Sequence, residues 1–279
     1  MMIFAGLLAI MMASWPALSL AATVGHFADV RVTVDLSKQG KPPPKQARIR
    51  EEVEPQDAVR TDDSGKAQIK FIDDSLLTIA PRSQVIIDNY IFVPNRKYRQ
   101  ASLSFFRGFS HILLGYATQV EKPDFIVNTY TAVLGPRGTG WYTITETNFT
   151  DVFCENGELS IKSKNLAEMV IIRGYQATRV WQGKPPLPPL PITSADLSFL
   201  KRLLDSGLPF RYDPGNNPSE LLQNVKRSDR STSSSSWSPP ASPGPPTPSQ
   251  TAPAFRGIEP GPPGPPAGPS PPCVCPPKR

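Results

Sequence analysis

The sequence is poor in the residues from which most enzyme sites are built. Only two histidines, His26 and His111, occur in 279 residues. With no Gly-x-Ser-x-Gly elbow and no His-Glu-x-x-His pair, a serine-hydrolase or zinc-protease site has nothing to rest on. Cysteine is almost as scarce, at three. Cys154 stands alone in an expected strand, where a single buried thiol acts as a small hydrophobe. Cys273 and Cys275 lie in the last seven residues. No second Cys or His cluster accompanies them, which argues against a four-ligand zinc site within the chain. The net charge is +6, yet residues 22–182 hold 20 basic against 18 acidic side chains, and residues from 227 onward hold 5 against 2. The surplus therefore sits largely outside the folded part, and a basic nucleic-acid-binding face on that part is not expected.

The first 28 residues lack charged side chains altogether. Residues 1–20 are apolar, are interrupted by Pro16 and lead to Ser19-Leu20-Ala21, with small residues at the two positions a signal peptidase reads. Residues 1–21 read as a signal peptide cut after Ala21. The alternative is an uncleaved membrane anchor, since about 20 apolar residues span a bilayer. Either way the rest of the chain is expected outside the cytoplasm, periplasmic or secreted, with membrane attachment only if the leader stays. In that oxidising setting Cys273 and Cys275 could form an intermolecular disulfide, hold a soft metal weakly or have no role.

Proline is abundant, and unevenly so. Of 34 prolines, 17 fall in residues 237–279. That stretch buries too little apolar surface to offset the entropy of ordering. Residues 227–279 are thus expected to be a disordered Ser/Pro-rich tail, serving as a spacer across an envelope layer or as a docking strand. What lies between leader and tail suits one domain with a sizeable core.

Within residues 22–182, short runs rich in Val, Ile, Thr, Phe and Tyr alternate with turn residues, the signature of an all-β fold. Residues 67–71 alternate cleanly, Asp73-Asp74-Ser75 turns the chain, and Leu77, Ile79, Val85 and Ile87 continue the odd-numbered apolar face. Further strands are expected at 101–106, 109–114, 125–134, 141–145, 150–154, 158–161, 169–172 and 176–181, with Gly108, Gly115, Gly157 and Gly174 as breaks. No helical period interrupts the series, so a parallel sheet with crossover helices is not expected. A Pro-rich spacer at 183–192 precedes a helical segment, 193–226. There Ser194 is the expected N-cap, Asp196 adds charge to the first turn, and Leu197, Leu200, Leu203 and Leu204 form a stripe ended by Gly207. So short a helix is marginal alone, and the stripe is expected to pack on the sheet rather than on a partner.

The most distinctive cluster is Gly135-Pro136-Arg137-Gly138-Thr139-Gly140. It lacks the Lys-Ser/Thr of a phosphate-binding P-loop, and a strand rather than a helix follows it. It reads as a tight corner between strands, with Arg137 held by a carboxylate or carbonyl and Thr139 bonded to backbone. The Asp73-Asp74 pair reads as carboxylates accepting turn amides rather than as a catalytic dyad.

Several weak motifs in order carry a resemblance: Asp57-Ala-Val-Arg-Thr61, residues 65–71, Asp74-Ser75 through Pro81-Arg-Ser83, the Phe-Arg-Gly ending at Gly108, residues 125–129, Arg137-Gly138-Thr139 and Glu155-Asn156-Gly157. Together they resemble the FecR domain over roughly residues 24–181, with Asp74 where that family usually has Gly. The resemblance implies a periplasmic, solenoid-like or twisted-sandwich β-module without catalysis or cofactor. Asp74, Ser75, Pro81, Ser83, Arg137, Gly138, Thr139 and Gly157 would then be structural motif residues. In the iron-uptake regulators that name the family, the module receives a signal from an outer-membrane receptor. The expectation is a non-enzymatic, exported binding or scaffolding module of the cell envelope whose partner is an envelope protein or a polysaccharide. The alternative is a periplasmic signalling partner in a receptor and sigma-factor system.

Overall fold

Period-two runs fix which side chains face inward, and the turns between them decide which strands meet. The computed structural model describes residues 22–96, 98–115, 124–207, 215, 218–220 and 222–223. In chain order the strands are β1 (Gly25–Arg31), β2 (Val34–Ser37), β3 (Lys45–Gln46), β4 (Glu52–Val53), β5 (Ala58–Thr61), β6 (Lys66–Phe71), β7 (Leu76–Ile79) and β8 (Gln84–Val93). They continue as β9 (Tyr98–Leu113), β10 (Phe125–Asn128), β11 (Ala132–Thr145), β12 (Phe149–Ser163), β13 (Met169–Arg173), β14 (Gln176–Trp181) and β15 (Leu190–Pro191). All join one hydrogen-bonded network, the all-β class read from the sequence. Pairings among the described residues are antiparallel except β9 with β10, where Phe125 lies beside Ala101.

Three long strands coil this network. β9 pairs β8 through its first half, then β7 and β11 through its second. β12 pairs β14 and then β13. The handovers fall near Gly108 (φ +108) and Gly157 (φ +74). These glycines are bends inside continuous strands, where the sequence suggests breaks. The expected strand over 125–134 divides instead, because Thr129 Oγ1 accepts from the Thr131 and Ala132 amides at 3.2 and 2.9 Å. A threonine that bonds its own backbone can turn a β-branched run, which propensity alone reads as strand. The Gly135–Gly140 cluster consequently lies within β11 as a register shift against β12 rather than at a corner between strands.

The inner face encloses the main core, with Phe27, Leu36, Phe125 and Trp141 beside the odd-numbered Ile69, Leu77, Ile79, Val85 and Ile87. A second cluster covers the outer face of the C-terminal half. Helix α1 (Ser194–Ser206) lays Leu197, Phe199, Leu200 and Leu204 against Phe109, Tyr142, Ile144, Phe149 and Phe153. Its N-cap is Thr193, one residue before the expected Ser194. The Thr193 hydroxyl accepts from the Asp196 amide while the Asp196 carboxylate accepts from the Thr193 amide, a capping box that Ser194 could not form with Asp196 two positions on. Gly207, at φ +64, closes the helix, and Lys66 on β6 ties it down by an ion pair to Asp205 at 3.1 Å.

Candidate functional site

Two knots of polar side chains set the shape of the region that carries the motifs. The first is centred on Asp73, in the turn between β6 and β7. Its buried carboxylate accepts from the Ser75 amide (3.1 Å), the Ser75 hydroxyl (2.8 Å), the Tyr90 hydroxyl (2.6 Å) and Arg99 Nη1 (2.8 Å). Arg99 also donates to Asp124 from Nε (3.1 Å) and Nη2 (2.9 Å). Burial works against the Arg99 charge, but the two carboxylates outweigh it and raise its pKa. Burial, and then the Asp73 charge, push the Tyr90 phenol up, so it remains a donor. A Cβ at Gly115 would overlap the Asp73 carbonyl, while its amide donates to Ser75 Oγ at 3.1 Å. The four elements around this turn are locked, and no lone pair of Asp73 is left to act as a base.

The second knot joins β5, the turn before β8, and the bend in β9. Thr61 Oγ1 donates to the Ala80 carbonyl at 2.7 Å and accepts from the Ser83 amide at 2.9 Å. The Ser83 hydroxyl accepts from the Phe109 amide at 3.2 Å. A Cβ on Gly108 would overlap Ser83. Pro81 is buried beside them.

Above this knot opens a cleft of about 290 Å³. Arg60, Arg82 and Arg107 line it with Gln84, and Phe106 and Tyr130 form an edge-to-face pair, centroids 5.7 Å apart, on another side. Arg60 lies opposite Gln84, which lies opposite Arg107, so the two arginines flank one residue across three neighbouring strands. Asp63 holds Arg82 through Nε at 2.8 Å and Nη2 at 2.9 Å.

Residues 57–160 match the family described as FecR protein. Over that stretch the chain is similar to FecR proteins. Both knots and the cleft fall inside the match, whereas β1 to β4 and everything from β13 onward lie outside it. Two crystal structures of a candidate anti-sigma factor from Parabacteroides distasonis ATCC 8503 are similar to the chain at 10% identity and a TM-score of 0.40. Each alignment covers 50% of this chain and 62% of the other, less than two thirds of that relative's length. No curated protein matches the chain.

The residues expected to carry the motif occupy four places. Ser75 belongs to the first knot, and Pro81 and Ser83 to the second. Asp74 has φ +64, a conformation that favours glycine, which accounts for Gly at this position in FecR domains. Its exposed carboxylate pairs with Lys70 at 2.8 Å. Arg137 and Gly138 are exposed in the irregular stretch of β11, with Gly138 at φ +58 and Arg137 opposite Glu158. Glu158 in turn pairs with Arg173 at 3.1 Å. The Thr139 side chain, the leader, the tail and Cys273 and Cys275 lie outside the described residues. Gly157 makes the bend in β12.

Other polar residues carry no sequence motif. Asp151 on β12 and Arg179 on β14 face each other and form a fully buried bidentate pair, both contacts 2.6 Å. The guanidinium lies against both the Phe149 and Trp181 rings, 4.7 and 4.9 Å from their centroids, and donates to the Gly215 carbonyl at 3.0 Å. Complete burial pushes the Asp151 carboxyl up to about 6 against the pull of Arg179. His111 stacks on Tyr142 at 4.2 Å and meets Glu155 at 3.0 Å; the hydrogen bond from His111 holds that carboxyl below its ordinary value. Burial pushes the Cys154 thiol up to about 12, where it is a poor nucleophile. Among the described residues no group of three His, Cys, Asp or Glu side chains is placed to hold a metal.

Proposed function

We propose that this chain is a non-enzymatic, exported FecR-domain protein that acts as a binding module of the cell envelope. One observation carries the reading. The Asp73, Asp151 and Cys154 side chains are buried and bonded to their neighbours and His111 is bonded to Glu155, while the arginine-lined cleft opens charged side chains to solvent. A rigid floor beneath exposed, extendable side chains suits recognition rather than bond breaking. The FecR match favours a second, compatible role, in which the captured partner is part of a receptor and sigma-factor relay. Export rests on the apolar leader and its small residues before the cut after Ala21.

The test uses the full chain in its own cells, with a photo-crosslinking residue at Gln84 in the cleft or at Ile49, exposed elsewhere. The Gln84 probe is expected to capture an envelope component in the fraction outside the cytoplasm, and the Ile49 probe is not. A chain retained in the cytoplasm, or equal capture from both positions, overturns the reading.

A further inference from the structure

We propose that the cleft between Arg60, Arg82 and Arg107 binds an acidic polysaccharide, with an oxyanion of one sugar seated on the guanidiniums and the face of a sugar ring against Tyr130. This rests on the binding-module reading above and names its ligand class. Residues 22–182 are almost neutral, so three arginines around one cleft are a local concentration of charge, and a concave, partly desolvated wall focuses such a field. Arg60 and Arg107 stand two strand spacings apart, roughly 10 Å, with Asp35 on β2 across from Arg60 on its other side. Neither makes an ion pair among the described residues. Arg82 stands at φ +59, which a non-glycine residue adopts at a cost, and a strained residue beside a cleft points toward function. Its charge is paired with Asp63, whose carboxyl also feels Arg107 at longer range, so the guanidiniums left without an ion pair for an incoming anion to meet are Arg60 and Arg107. Arg107 is steadied by a long contact from Nε to the Arg82 carbonyl, 3.4 Å. Guanidiniums present paired donors that match carboxylate, phosphate or sulfate oxygens.

The aromatic wall separates a saccharide from other acidic ligands. Tyr130 sits in the turn between β10 and β11 and is 44% exposed although its ring is braced by Phe106. An exposed, braced ring offers a flat apolar surface to the C–H face of a pyranose, for which an acidic peptide has less use. Size points the same way. The cleft lies at the small end of ligand pockets, roughly 300 to 1,000 Å³, whereas a stable protein partner needs about 800 Å² of surface on each side. Its floor, the Thr61, Ser83 and Gly108 knot, keeps the strands that carry the arginines in fixed register.

Titration calorimetry of the exported full-length protein decides this, with oligogalacturonate as the carboxylate probe, sulfated dextran as the sulfate probe, and neutral dextran and polyglutamate as controls. Oligogalacturonate or sulfated dextran is expected to bind, and the stronger of the two identifies the oxyanion. Binding should weaken at least tenfold in Arg60→Gln and in Arg107→Gln, and severalfold in Tyr130→Ala. All three positions are exposed or partly so, and an unchanged thermal midpoint confirms that the variants fold. Neutral dextran should not bind. Polyglutamate binding as tight as the saccharide, or saccharide binding insensitive to Tyr130→Ala, overturns the proposal in favour of an acidic peptide or a nonspecific polyanion. No saccharide binding while the Gln84 crosslink persists overturns the ligand class alone; loss of both overturns the binding-module reading as well.

Discussion

At the residue scale, the energetics concentrate where charge is buried. Asp151 and Arg179 are both shut away from water, so removing one partner strands the other. Arg179→Ala is expected to destabilise the domain by about 3 to 5 kcal/mol. The double replacement Asp151→Val with Arg179→Met should cost less than either single change, because no charge is left unpaired. Chemical denaturation of the three variants measures this, and additive losses would count against a mutually dependent pair. Glu155 gives a pH-dependent counterpart. Its carboxyl is held below its ordinary 4.5 by the hydrogen bond from His111. A depressed acid stabilises the fold above its unfolded pKa, and that contribution disappears as pH falls through the folded pKa. The stability gap between the native chain and Glu155→Gln should thus be widest above the ordinary carboxyl value of 4.5 and shrink as pH falls through the lowered folded-state pKa. Glycines separate two costs. Gly108→Ala meets both a positive φ and an overlap with Ser83 and should cost several kcal/mol. At Gly138 a Cβ meets nothing within 4 Å, so Gly138→Val carries backbone strain only, about 1 to 3 kcal/mol.

At the element scale, α1 has the task its leucine stripe implies, since it covers aromatic side chains on the outer face of the sheet. Leu200 is 1% exposed there, and Leu200→Ala should cost about 2 to 5 kcal/mol, against about 1 kcal/mol for Thr193→Ala at the cap. A reversed ranking in urea unfolding would mean that the helix is held by its ends rather than by its face. The elements also show why the sequence is legible in parts. Alternation at Ile69, Leu77, Ile79, Val85 and Ile87 names the inner face because period two survives the Asp73 turn. The hairpin at 129–131 is hidden, because Thr-Tyr-Thr has strand propensity and turns only through a side-chain bond to its own backbone. Gly108 and Gly157 are visible as interruptions, yet whether an interruption ends a strand or bends it depends on partners far along the chain. The Asp73, Arg99 and Asp124 knot and the Asp151–Arg179 pair have no local signature. Their members lie 25 to 28 residues apart and meet only once register is set. The cleft is hidden for the same reason: Arg60, Gln84 and Arg107 form a row only when β5, β8 and β9 align.

At the scale of the whole molecule, the described core and the Ser/Pro-rich residues 227–279 differ in how much apolar surface they carry. Among the described residues, the knots, the core, the helix interface and the cleft all lie between residues 22 and 223. Residues 227–279 carry 5 basic and 2 acidic side chains among prolines and serines, and offer little that would add to a core. Removing them should leave the thermal midpoint within about 4 °C of the full chain, since in a domain of this size 1 kcal/mol shifts the midpoint by about 2 to 4 °C. Saccharide binding should fall only slightly, because the tail can add diffuse attraction to an anionic polymer but no shaped contact, and that difference should vanish near 1 M salt, where the screening length is about 3 Å. Calorimetric melting and saccharide titration of the truncated chain at two salt concentrations check both halves. A larger drop in the midpoint would show that the tail docks on the domain. Binding lost at low and high salt alike would show that the tail, rather than the arginine cleft, supplies the recognition.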